Sequence, residues 1–570
     1  MPASSTRSRS AHSRRRGFVL IAVLVIVVIL TLAAYQFSAL MMAEYTAADS
    51  YARSVQARAL ADSGIHYAAA ALSNADNLAN ILGNNPYDNP SAFQGVIVQQ
   101  NDKPRFQGRF TVVAARDPDD PSSAGSSYRF GVIDEGGKIN LNALLKLDSS
   151  GQIAHNMLML LPNMTEEIAN AILDWIDDKT IEARPGGAKD EYYSTLSPPY
   201  RCKNGKLDSL EELLLVKGVT PPLLFGNDRN RNGVLDPDEN DGSGTLDMGW
   251  AAYLTVYSRE RNIDSEGNPR ININDSDLTG LQAKLSPILG DDLTNFIIAY
   301  RMYGPAQQGG SSGGTGGGAS GGAAGGTGGG ATASASAAPQ MMVVSKPLSG
   351  TDRTSARGQI TGDLATSATR RARTAISSLF QLINATVSIP VTGGATGGTG
   401  SRGGTTGATQ QTTISMPSPL SDPSQMQQYL PVLLDKVSTV ADQELPPRIN
   451  VNTASRTVLL TLPGLSEGDV QSIIDGRPGL TDGDSPDPIY QTPAWLIVEA
   501  NLSPQTLQSL ERYITARSQV YRVQALGHFD SGGPTARVEA VIDTNAGRPR
   551  IIYWRDLTEL GKGFNLQSNQ

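Results

Sequence analysis

Residues 14–35 read RRRGFVLIAVLVIVVILTLAAY, and this stretch decides how the rest of the chain is arranged. From Phe18 to Ala34 the single polar side chain is Thr31. Because a helix rises about 1.5 Å per residue, this run can cross a hydrocarbon core of roughly 30 Å. Five arginines precede it, so the positive-inside rule places the N-terminus in the cytoplasm and the rest of the chain outside. A cleaved secretory signal, the alternative, would have a shorter apolar core.

The predicted helix continues beyond the membrane. Residues 43–72 contain no proline and carry apolar residues at helical spacing, among them Ala48, Ala52, Val55 and Ala59. We therefore predict a transmembrane helix over 18–42 and a periplasmic stalk helix over 43–75. The bulk of the protein is expected in the periplasm.

Composition limits the classes of partner and fold. A chain of 570 residues has room for two to four domains, and its formal charge of -8 argues against nucleic acid as a partner. Cys202 is the one cysteine, so no intrachain disulfide holds the fold.

Two low-complexity tracts divide the chain. Residues 307–338 and 392–412 consist almost entirely of Gly, Ser, Thr and Ala, which bury too little apolar surface to offset chain entropy. We predict disordered linkers over 304–340 and 392–412. The island between them, 341–391, is weakly hydrophobic. We expect a short helix within Leu364–Ala385. Its composition does not indicate a role.

A short motif recurs three times. Residues 138–142 read KINLN, 270–274 read RININ and 448–452 read RINVN. Each precedes a helical segment, with helices predicted over Thr165–Asp177 and Ser466–Asp475, where Thr and Ser suit helix N-caps. The sequence therefore predicts repeated helix-turn-helix units, in a helical domain over 138–303 and a second helical segment over 413–515.

The third unit resembles the helix-hairpin-helix of DNA-binding proteins. Its hairpin, PGLS at 463–466, lacks a second glycine, and acidic residues flank all three copies. We therefore favour a compact helical pair without DNA, and nucleic-acid binding stays the alternative.

The C-terminal part is predicted to complete a sheet. Segments Val520–Phe529, Ala536–Thr544 and Pro549–Leu557 have β-rich or alternating character with Gly and Asp turns between them. We expect them to pair with earlier strands over Phe106–Ala115 and Ser127–Asp134. The predicted fold is α+β: an N-terminal helix, an antiparallel sheet head built from residues 76–137 and 516–570, and a large inserted α-helical domain.

The strongest chemical motif is DRNRNGVLDPDE at 228–239, which fits the twelve-residue calcium loop. Gly233 occupies the turn position, and Pro237 leaves little room for a regular exiting helix. We predict a structural Ca²⁺ site rather than a sensor EF-hand, because hard oxygen ligands at alternate positions are what Ca²⁺ requires. The predicted ligands are Asp228, Asn230, Asn232, Val234 through its carbonyl, Asp236 and Glu239.

Catalytic motifs are missing from the sequence. The chain has four histidines, and it contains no Gly-Lys-Ser phosphate loop, no nucleophile elbow and no pair of histidines at zinc-ligand spacing. We therefore predict that the protein is not an enzyme.

The N-terminal stretch RRRGFVLIA at 14–22 resembles the leader of type IV pilins and of type II secretion pseudopilins. The resemblance implies that a prepilin peptidase removes leader 1–17 by cutting after Gly17, and that the new amine on Phe18 is methylated. Ordinary subunits carry glutamate at the fifth mature position, where this chain has Ala22. In these families, the subunit that lacks this glutamate is the minor pseudopilin called general secretion pathway protein K.

Three further segments are similar to that protein K family: IDEGGK at 133–138, LDWIDD at 173–178 and SLEELLLVKGV at 209–219. The resemblance implies a tip position on the pseudopilus, in the inner membrane, with other minor pseudopilins, the prepilin peptidase and secreted substrates as partners. It also implies calcium in the helical domain, which makes Asp174, Asp177, Asp190 and Glu191 candidates for a second metal site. A helix end followed by a solvated acidic loop explains these residues equally well.

Two functions from other classes stay open. One is a competence or DNA-uptake pseudopilin whose hairpins bind nucleic acid. The other is a calcium-dependent surface hydrolase that is held by an uncleaved signal anchor.

Overall fold

The computed structural model describes residues 15–116, 128–306, 345–346, 350–366, 374–390, 413–478 and 487–564. Most of the predicted leader and both Gly-rich tracts, 307–338 and 392–412, lie outside these ranges.

The described residues form an α+β fold, as predicted. The α-helices are α1 (Arg15–Ala71), α2 (Ala75–Leu82), α3 (Pro90–Phe93), α4 (Leu141–Leu147), α5 (Gln152–Met159), α6 (Glu166–Ile176), α7 (Asp190–Tyr193), α8 (Pro221–Phe225), α9 (Leu278–Tyr303), α10 (Gly350–Thr366), α11 (Pro423–Lys436), α12 (Arg456–Leu460), α13 (Glu467–Asp475), α14 (Trp495–Val498) and α15 (Pro504–Leu510). Short 3-10 helices cover Pro104–Phe106, Glu135–Gly137, Leu210–Leu215, Gly249–Ala252, Leu379–Leu382, Pro419–Ser421, Pro488–Gln491 and Thr558–Leu560.

The strands are β1 (Val96–Gln99), β2 (Gly108–Ala115), β3 (Tyr128–Arg129), β4 (Ile133–Asp134), β5 (Ile139–Asn140), β6 (Leu254–Thr255), β7 (Glu260–Arg261), β8 (Ile271–Asn272), β9 (Ser345–Lys346), β10 (Thr386–Pro390), β11 (Thr413–Pro417), β12 (Val437–Ser438), β13 (Glu444–Leu445), β14 (Ile449–Asn450), β15 (Ile514–Thr515), β16 (Val520–Phe529), β17 (Ala536–Asp543) and β18 (Arg550–Asp556).

Helix α1 joins the predicted transmembrane and stalk segments without a break. Its apolar first half is exposed, whereas Ala57, Leu60, Ala61 and Ile65 are buried against the head. The helix ends at Ala71, four residues before the predicted end. The next helix starts there because the side chain of Asn74 accepts a hydrogen bond from the main-chain N–H of Asn77 (2.8 Å) and caps α2.

A seven-stranded antiparallel sheet forms the head, with the order β1-β2-β16-β17-β18, β3 beside β2 and β4 beside β16. The predicted pairing of late strands with early ones is confirmed, since β16 lies between β2 and β17. The predicted strand over 127–134 is two short strands instead. Gly131 lies between them, where a Cβ atom would overlap the carbonyl of Tyr87, so the chain bends around that residue.

Helix α1 packs directly on β16 through glycine. A Cβ atom at Gly527 would overlap the main-chain oxygen of Ala57, and one at Gly64 would come within 3.0 Å of the Ala525 Cβ. The absence of side chains at both positions lets the helix backbone approach the sheet closely. The head core therefore forms between α1 and one face of the sheet.

Replacing Gly527 with alanine is expected to destabilise the head. The added methyl group must push α1 away from β16, and overpacking of this kind costs about 1–3 kcal/mol. The measurement is the thermal or denaturant unfolding of full-length protein in detergent. Gly358→Ala in α10, where a Cβ meets open space, is the control and should lose no stability. An unchanged midpoint for Gly527→Ala would contradict the close packing.

The three sequence repeats are three copies of one structural unit. In each copy the Ile-Asn strand pairs in parallel with a second two-residue strand, giving the pairs β5–β6, β8–β12 and β14–β15. The side chain of the first asparagine accepts a hydrogen bond from the main-chain N–H of the second in all three copies. The second strand, Leu-Thr, Val-Ser or Ile-Thr, is a repeat that the sequence did not reveal.

The second asparagine of each motif ties together two remote segments. Its amide nitrogen donates to the carbonyl just after the partner strand and to the carbonyl of a further residue. These contacts join Asn142 to Val256 and Leu207, Asn274 to Thr439 and Ile376, and Asn452 to Ala516 and Tyr490.

The island between the Gly-rich tracts therefore has a structural role. Ile376 occupies the place that Leu207 and Tyr490 hold in the other units, so residues 374–390 belong to the second unit. The prediction of a helix within Leu364–Ala385 is wrong for residues 374–385, the described C-terminal part of that range. That part forms a 3-10 turn and leads into β10, whose sequence TVSIP favours a strand.

Buried charges join the head to the units at the IDEGGK segment. Asp134 accepts hydrogen bonds from Asn450 Nδ2 (2.7 Å) and Thr453 Oγ1 (2.6 Å), whereas Glu135 pairs with Arg522 at 2.6 Å. Burial opposes ionisation of Glu135, but the charges of Arg522 and Lys138 outweigh it and lower its pKa to about 2. Strand β4 thus links the sheet to the first and third units.

Candidate functional site

The first half of α1 presents an uncovered apolar surface. Phe18, Leu20 and Leu24 are each more than 60% exposed, and the exposed apolar residues continue to Val55. The hydroxyl of Thr31 donates to the main-chain oxygens of Val27 and Val28 at 2.9 Å, so its polar group is satisfied within the helix. By length and composition, α1 is the one helix of the described residues that could cross a membrane.

The predicted processing residues lie at the start of this helix. Gly17 and Phe18 are in the first turn of α1, and Ala22 follows one turn later. Residues 1–14 of the leader lie outside the described residues.

The predicted calcium loop folds its acidic side chains inward. Asp228 Oδ1 and Oδ2 accept the main-chain N–H groups of Asn232 (3.0 Å) and Gly233 (2.9 Å). Glu239 closes the loop, since its Oε1 accepts from the main-chain N–H of Asn230 (3.1 Å) and its Oε2 accepts from the main-chain N–H of Asp236 (3.3 Å). These contacts fold the side chains of Asp228 and Glu239, the first and last predicted ligands, into the same loop.

The remaining predicted ligands line the same loop. Asp236 Oδ2 accepts from the side-chain nitrogens of Asn230 (2.6 Å) and Asn232 (3.0 Å), and Asn232 Oδ1 accepts from the N–H of Val234 (2.7 Å). Gly233 has φ +65°, and a Cβ atom there would overlap Ala115 of β2, so the turn requires glycine. No helix follows Glu239 before residue 249, as the position of Pro237 predicted.

The electrostatics of the loop fit a cation. Asp228 and Glu239 are 7% and 4% exposed, yet in the part of the chain that the structure describes no Lys or Arg forms a salt bridge with either. Burial raises the pKa of Asp228, and the negative charge of Glu239 raises it further against the hydrogen bonds that lower it. A divalent cation would offset the cost of these buried, unpaired carboxylates.

The donor set of the loop is mixed. Among the described residues no three His, Cys, Asp or Glu side chains form a group that could hold a metal ion by themselves. A cation in this loop would therefore depend on the amide oxygens of Asn230 and Asn232 and on the carbonyl of Val234 as well as on carboxylates. Oxygen ligands of these kinds suit Ca²⁺.

The loop also fastens the first unit to the head. Gln524 Nε2 of β16 donates to the carbonyl of Arg231 at 3.2 Å, and Arg537 of β17 donates to the carbonyl of Asn230. Asn232 donates to the carbonyl of Gly563 near the C-terminus. Nothing near residues 228–239 in the sequence indicates these partners, which lie about three hundred residues further along.

An ion-pair network surrounds this contact. Glu211 Oε1 accepts from Arg231 (2.8 Å) of the loop and from Arg555 (2.6 Å) of β18. The guanidinium of Arg231 also lies over the ring of Phe225, 4.0 Å from its centroid. Arg231 and Arg555 thus pair with Glu211, and among the described residues neither forms a salt bridge with Asp228 or Glu239.

The second acidic cluster is arranged differently. Arg184 forms ion pairs with Asp174 (2.7 Å) and Asp177 (2.9 Å), and Asp174 also accepts the N–H of Ala188 at 3.0 Å. Asp190 instead accepts the N–H of Cys202, and Glu191 is exposed. The structure does not bring the four residues together, and Arg184 already forms ion pairs with the two that are close.

The hairpin of the third unit is closed by its own acidic residue. Ser466 Oγ accepts the N–H of Asp469 (3.2 Å), and Asp469 Oδ2 accepts the N–H of Ser466 (3.0 Å), which forms a capping box. A carboxylate thus occupies the amide end of α13, where a DNA-binding hairpin would offer amides to phosphate.

The first unit is similar to a known protein family. Residues 137–225 match the family described as "Type II secretion system (T2SS), protein K". The type II secretion system protein K of Aeromonas hydrophila is 40% identical over 57 residues, which is 10% of this chain and 17% of that protein. The alignment therefore spans less than a fifth of the relative's length.

A solved structure described as the GspK-GspI-GspJ complex of the type 2 secretion system from enterotoxigenic Escherichia coli has 10% sequence identity and a TM-score of 0.35. The match covers 90% of this chain and 99% of that chain. At that TM-score the two folds are not shown to be the same. Residues 137–225 are thus similar to protein K of the type II secretion system, and the match covers less than a fifth of this chain.

Proposed function

We propose that the chain is a non-enzymatic minor pseudopilin that caps the tip of the type II secretion pseudopilus and so supports export across the outer membrane. The observation that carries this proposal is Ala22 at the fifth position of an uncovered apolar helix. The glutamate that pilin-like subunits carry there neutralises the N-terminal amine of a neighbouring subunit. An unpaired amine in an apolar setting costs on the order of several kcal/mol. A subunit with Ala22 is therefore suited to the first place in the fibre.

The proposed location follows from α1. Residues 18–42 would span the inner membrane once, with the N-terminus in the cytoplasm and the head in the periplasm. The prepilin peptidase would cut between Gly17 and Phe18. The exposed apolar residues from Phe18 to Val55 would then pack against the helices of other minor pseudopilins that lie beneath this subunit in the fibre.

The size of the head supports a terminal position. A seven-stranded sheet packs on the C-terminal half of one helix, and the three repeated units are joined to that sheet. Repeated stacking of such heads around a thin fibre would produce clashes, whereas a single copy at the end has free space.

The loop 228–239 would hold Ca²⁺ as a structural ion. Asp228 and Glu239 would supply buried carboxylates, with Asn230, Asn232, Asp236 and the carbonyl of Val234 as further oxygen donors. Because the same loop contacts β16 and β17, the bound ion would stabilise the join between the first unit and the head. Extracellular calcium is high enough to fill a site with an affinity of roughly 10⁻⁴ to 10⁻³ M.

The DNA-uptake alternative is less favoured. Beside its proposed contact, the hairpin at Gly464, the main-chain N–H groups of Ser466 and Asp469 already donate to each other's side chains. A carboxylate at that position repels phosphate, and the formal charge of -8 offers no compensating attraction.

Cross-linking in assembled pseudopili tests the tip position. Leu40 lies on the uncovered part of α1, and the natural Cys202 is buried, so Leu40→Cys adds one reactive thiol with little background. With a thiol-reactive photo-cross-linker attached to the new thiol, we expect links to a small set of different minor subunits. The unmodified chain is the control and should give no links. A ladder of links between copies of this chain along the shaft would contradict the tip model.

A further inference from the structure

Five arginines line one cleft where the three units and the head sheet meet. Arg270 and Arg448 open the second and third repeats, whereas Arg517 joins the third unit to β16. Arg259 and Arg261 come from the end of the first unit. The one acidic residue that lines the cleft is Glu260. The cleft therefore collects positive charge from segments that are far apart in the sequence.

Among the described residues, the ion pairs in this cleft leave two guanidinium groups, those of Arg270 and Arg261, without a salt bridge. Arg448 pairs with Glu260 through both ends of its fork, with Nε 2.9 Å from Oε2. Arg517 Nη2 lies 3.1 Å from Asp435 Oδ1. Arg270 donates from Nε to the main-chain oxygen of Asp435 at 2.9 Å. Within the described ranges, no salt bridge involves Arg270.

The two outer arginines, Arg259 and Arg261, add further guanidinium groups to the cleft. Arg261 Nη1 donates to the main-chain oxygen of Asn545 at 3.0 Å, and Arg259 is 3.8 Å from Asp543. Of the five guanidinium groups, that of Arg448 is the one that forms a salt bridge with the acidic residue lining the cleft, Glu260, among the described residues.

This crowding is energetically unfavourable in the protein alone. Burial, together with the neighbouring charges of Arg448 and Arg517, lowers the pKa of Arg270 to about 10. Burial also lowers the pKa of Arg517. An anion that entered the cleft would relieve both the repulsion and the missing solvation.

We propose that this cleft binds a phosphate-class dianion, with Arg270 as its principal ligand. A tetrahedral dianion can accept hydrogen bonds from more than one of these guanidinium groups at once. Guanidinium forks match the oxygen spacing of phosphate and donate two parallel hydrogen bonds to it. Free inorganic phosphate and a phosphomonoester on a larger molecule present the same chemistry.

A bound anion would connect parts of the molecule that are separate in sequence. Arg270 and Arg448 belong to different units, and Ser518 and Gln519 at the rim lead directly into β16. Binding to the native state alone stabilises it in proportion to occupancy. The anion would therefore raise the unfolding temperature of the protein.

The test uses full-length protein in detergent, titrated with inorganic phosphate against sodium chloride of equal ionic strength. We expect a saturable rise in melting temperature with phosphate and no saturable rise with chloride or acetate. In Arg270→Gln the apparent Kd for phosphate should rise by at least roughly tenfold, since a hydrogen bond to a charged group is lost. Arg201→Gln, an exposed arginine outside the cleft, is the matched control and should bind as the unmodified protein does.

Two further measurements sharpen the outcome. Arg270→Lys keeps the charge but loses the fork, and an intermediate Kd supports the assigned role even if the glutamine variant folds poorly. Glycerol phosphate separates the sources: binding with the same dependence on Arg270 indicates a phosphomonoester, and binding of inorganic phosphate alone indicates the free ion. No saturable effect of phosphate, or an equal effect in Arg270→Gln, would overturn the proposal.

Discussion

Replacing Gly17 with valine is expected to leave the uncut precursor in the membrane and to abolish secretion. A prepilin peptidase needs a small residue before the cut, and the β-branched side chain of valine would occupy the space of the glycine hydrogen. The uncut leader would also keep the arginines at 14–16 on the end of the helix, where they prevent it from entering a bundle of apolar helices. Immunoblots of the membrane fraction and of the medium measure both effects.

The control for this experiment is Ala11→Val, which makes a comparable change in the leader but away from the cut. It should be processed and should support secretion normally. Processing of Gly17→Val at the normal rate would contradict the proposed cleavage.

Removing the last predicted calcium ligand by Glu239→Gln is expected to bring the melting temperature in calcium close to its value in chelator. Ion binding to the folded protein alone stabilises it by RT ln(1 + [L]/Kd), which is about 2.7 kcal/mol at a hundredfold excess over Kd. The variant keeps the shape of Glu239 but removes the charge that the cation would pair with. The measurement is thermal unfolding of full-length protein in detergent, with calcium and with EDTA.

Asp241→Asn provides the matched control, because Asp241 is exposed just beyond the loop and is not a predicted ligand. It should respond to calcium as the unmodified protein does. If EDTA leaves the melting temperature of the unmodified protein unchanged, residues 228–239 form only a turn.

Local patterns predicted much of the fold. The strand at Val520–Phe529 was predicted with its observed ends, because its β-rich run is bounded by turn residues. Thr165 and Ser466 are the observed N-caps of α6 and α13, since a short oxygen-bearing side chain there satisfies a free amide. These features depend on neighbouring residues, so one stretch of sequence contains the information.

Contacts between remote segments could not be predicted in this way. The partner strands Leu254–Thr255, Val437–Ser438 and Ile514–Thr515 are two residues long, too short for any periodic pattern. The role of residues 374–390 depends on the hydrogen bonds of Asn274, about a hundred residues earlier. Only the fold brings these groups together.

The two acidic candidates show the same limit at the site. Both had carboxylates near a glycine turn, but Asp174 and Asp177 form salt bridges with Arg184, whereas Asp228 and Glu239 form no salt bridge among the described residues. The arginine lies within ten residues of Asp174, yet spacing alone could not decide whether it would turn toward the carboxylates. The difference between a salt-bridged turn and a candidate cation site is a matter of side-chain direction.

Mass spectrometry of the N-terminus of the mature protein tests the pseudopilin assignment most directly. The unmodified chain would be purified from membranes of cells that carry the complete secretion system, and its N-terminal peptide would be sequenced. We predict that the mature chain begins at Phe18 with a methylated amine. A chain that begins at Met1, or at any residue other than Phe18, would contradict the account.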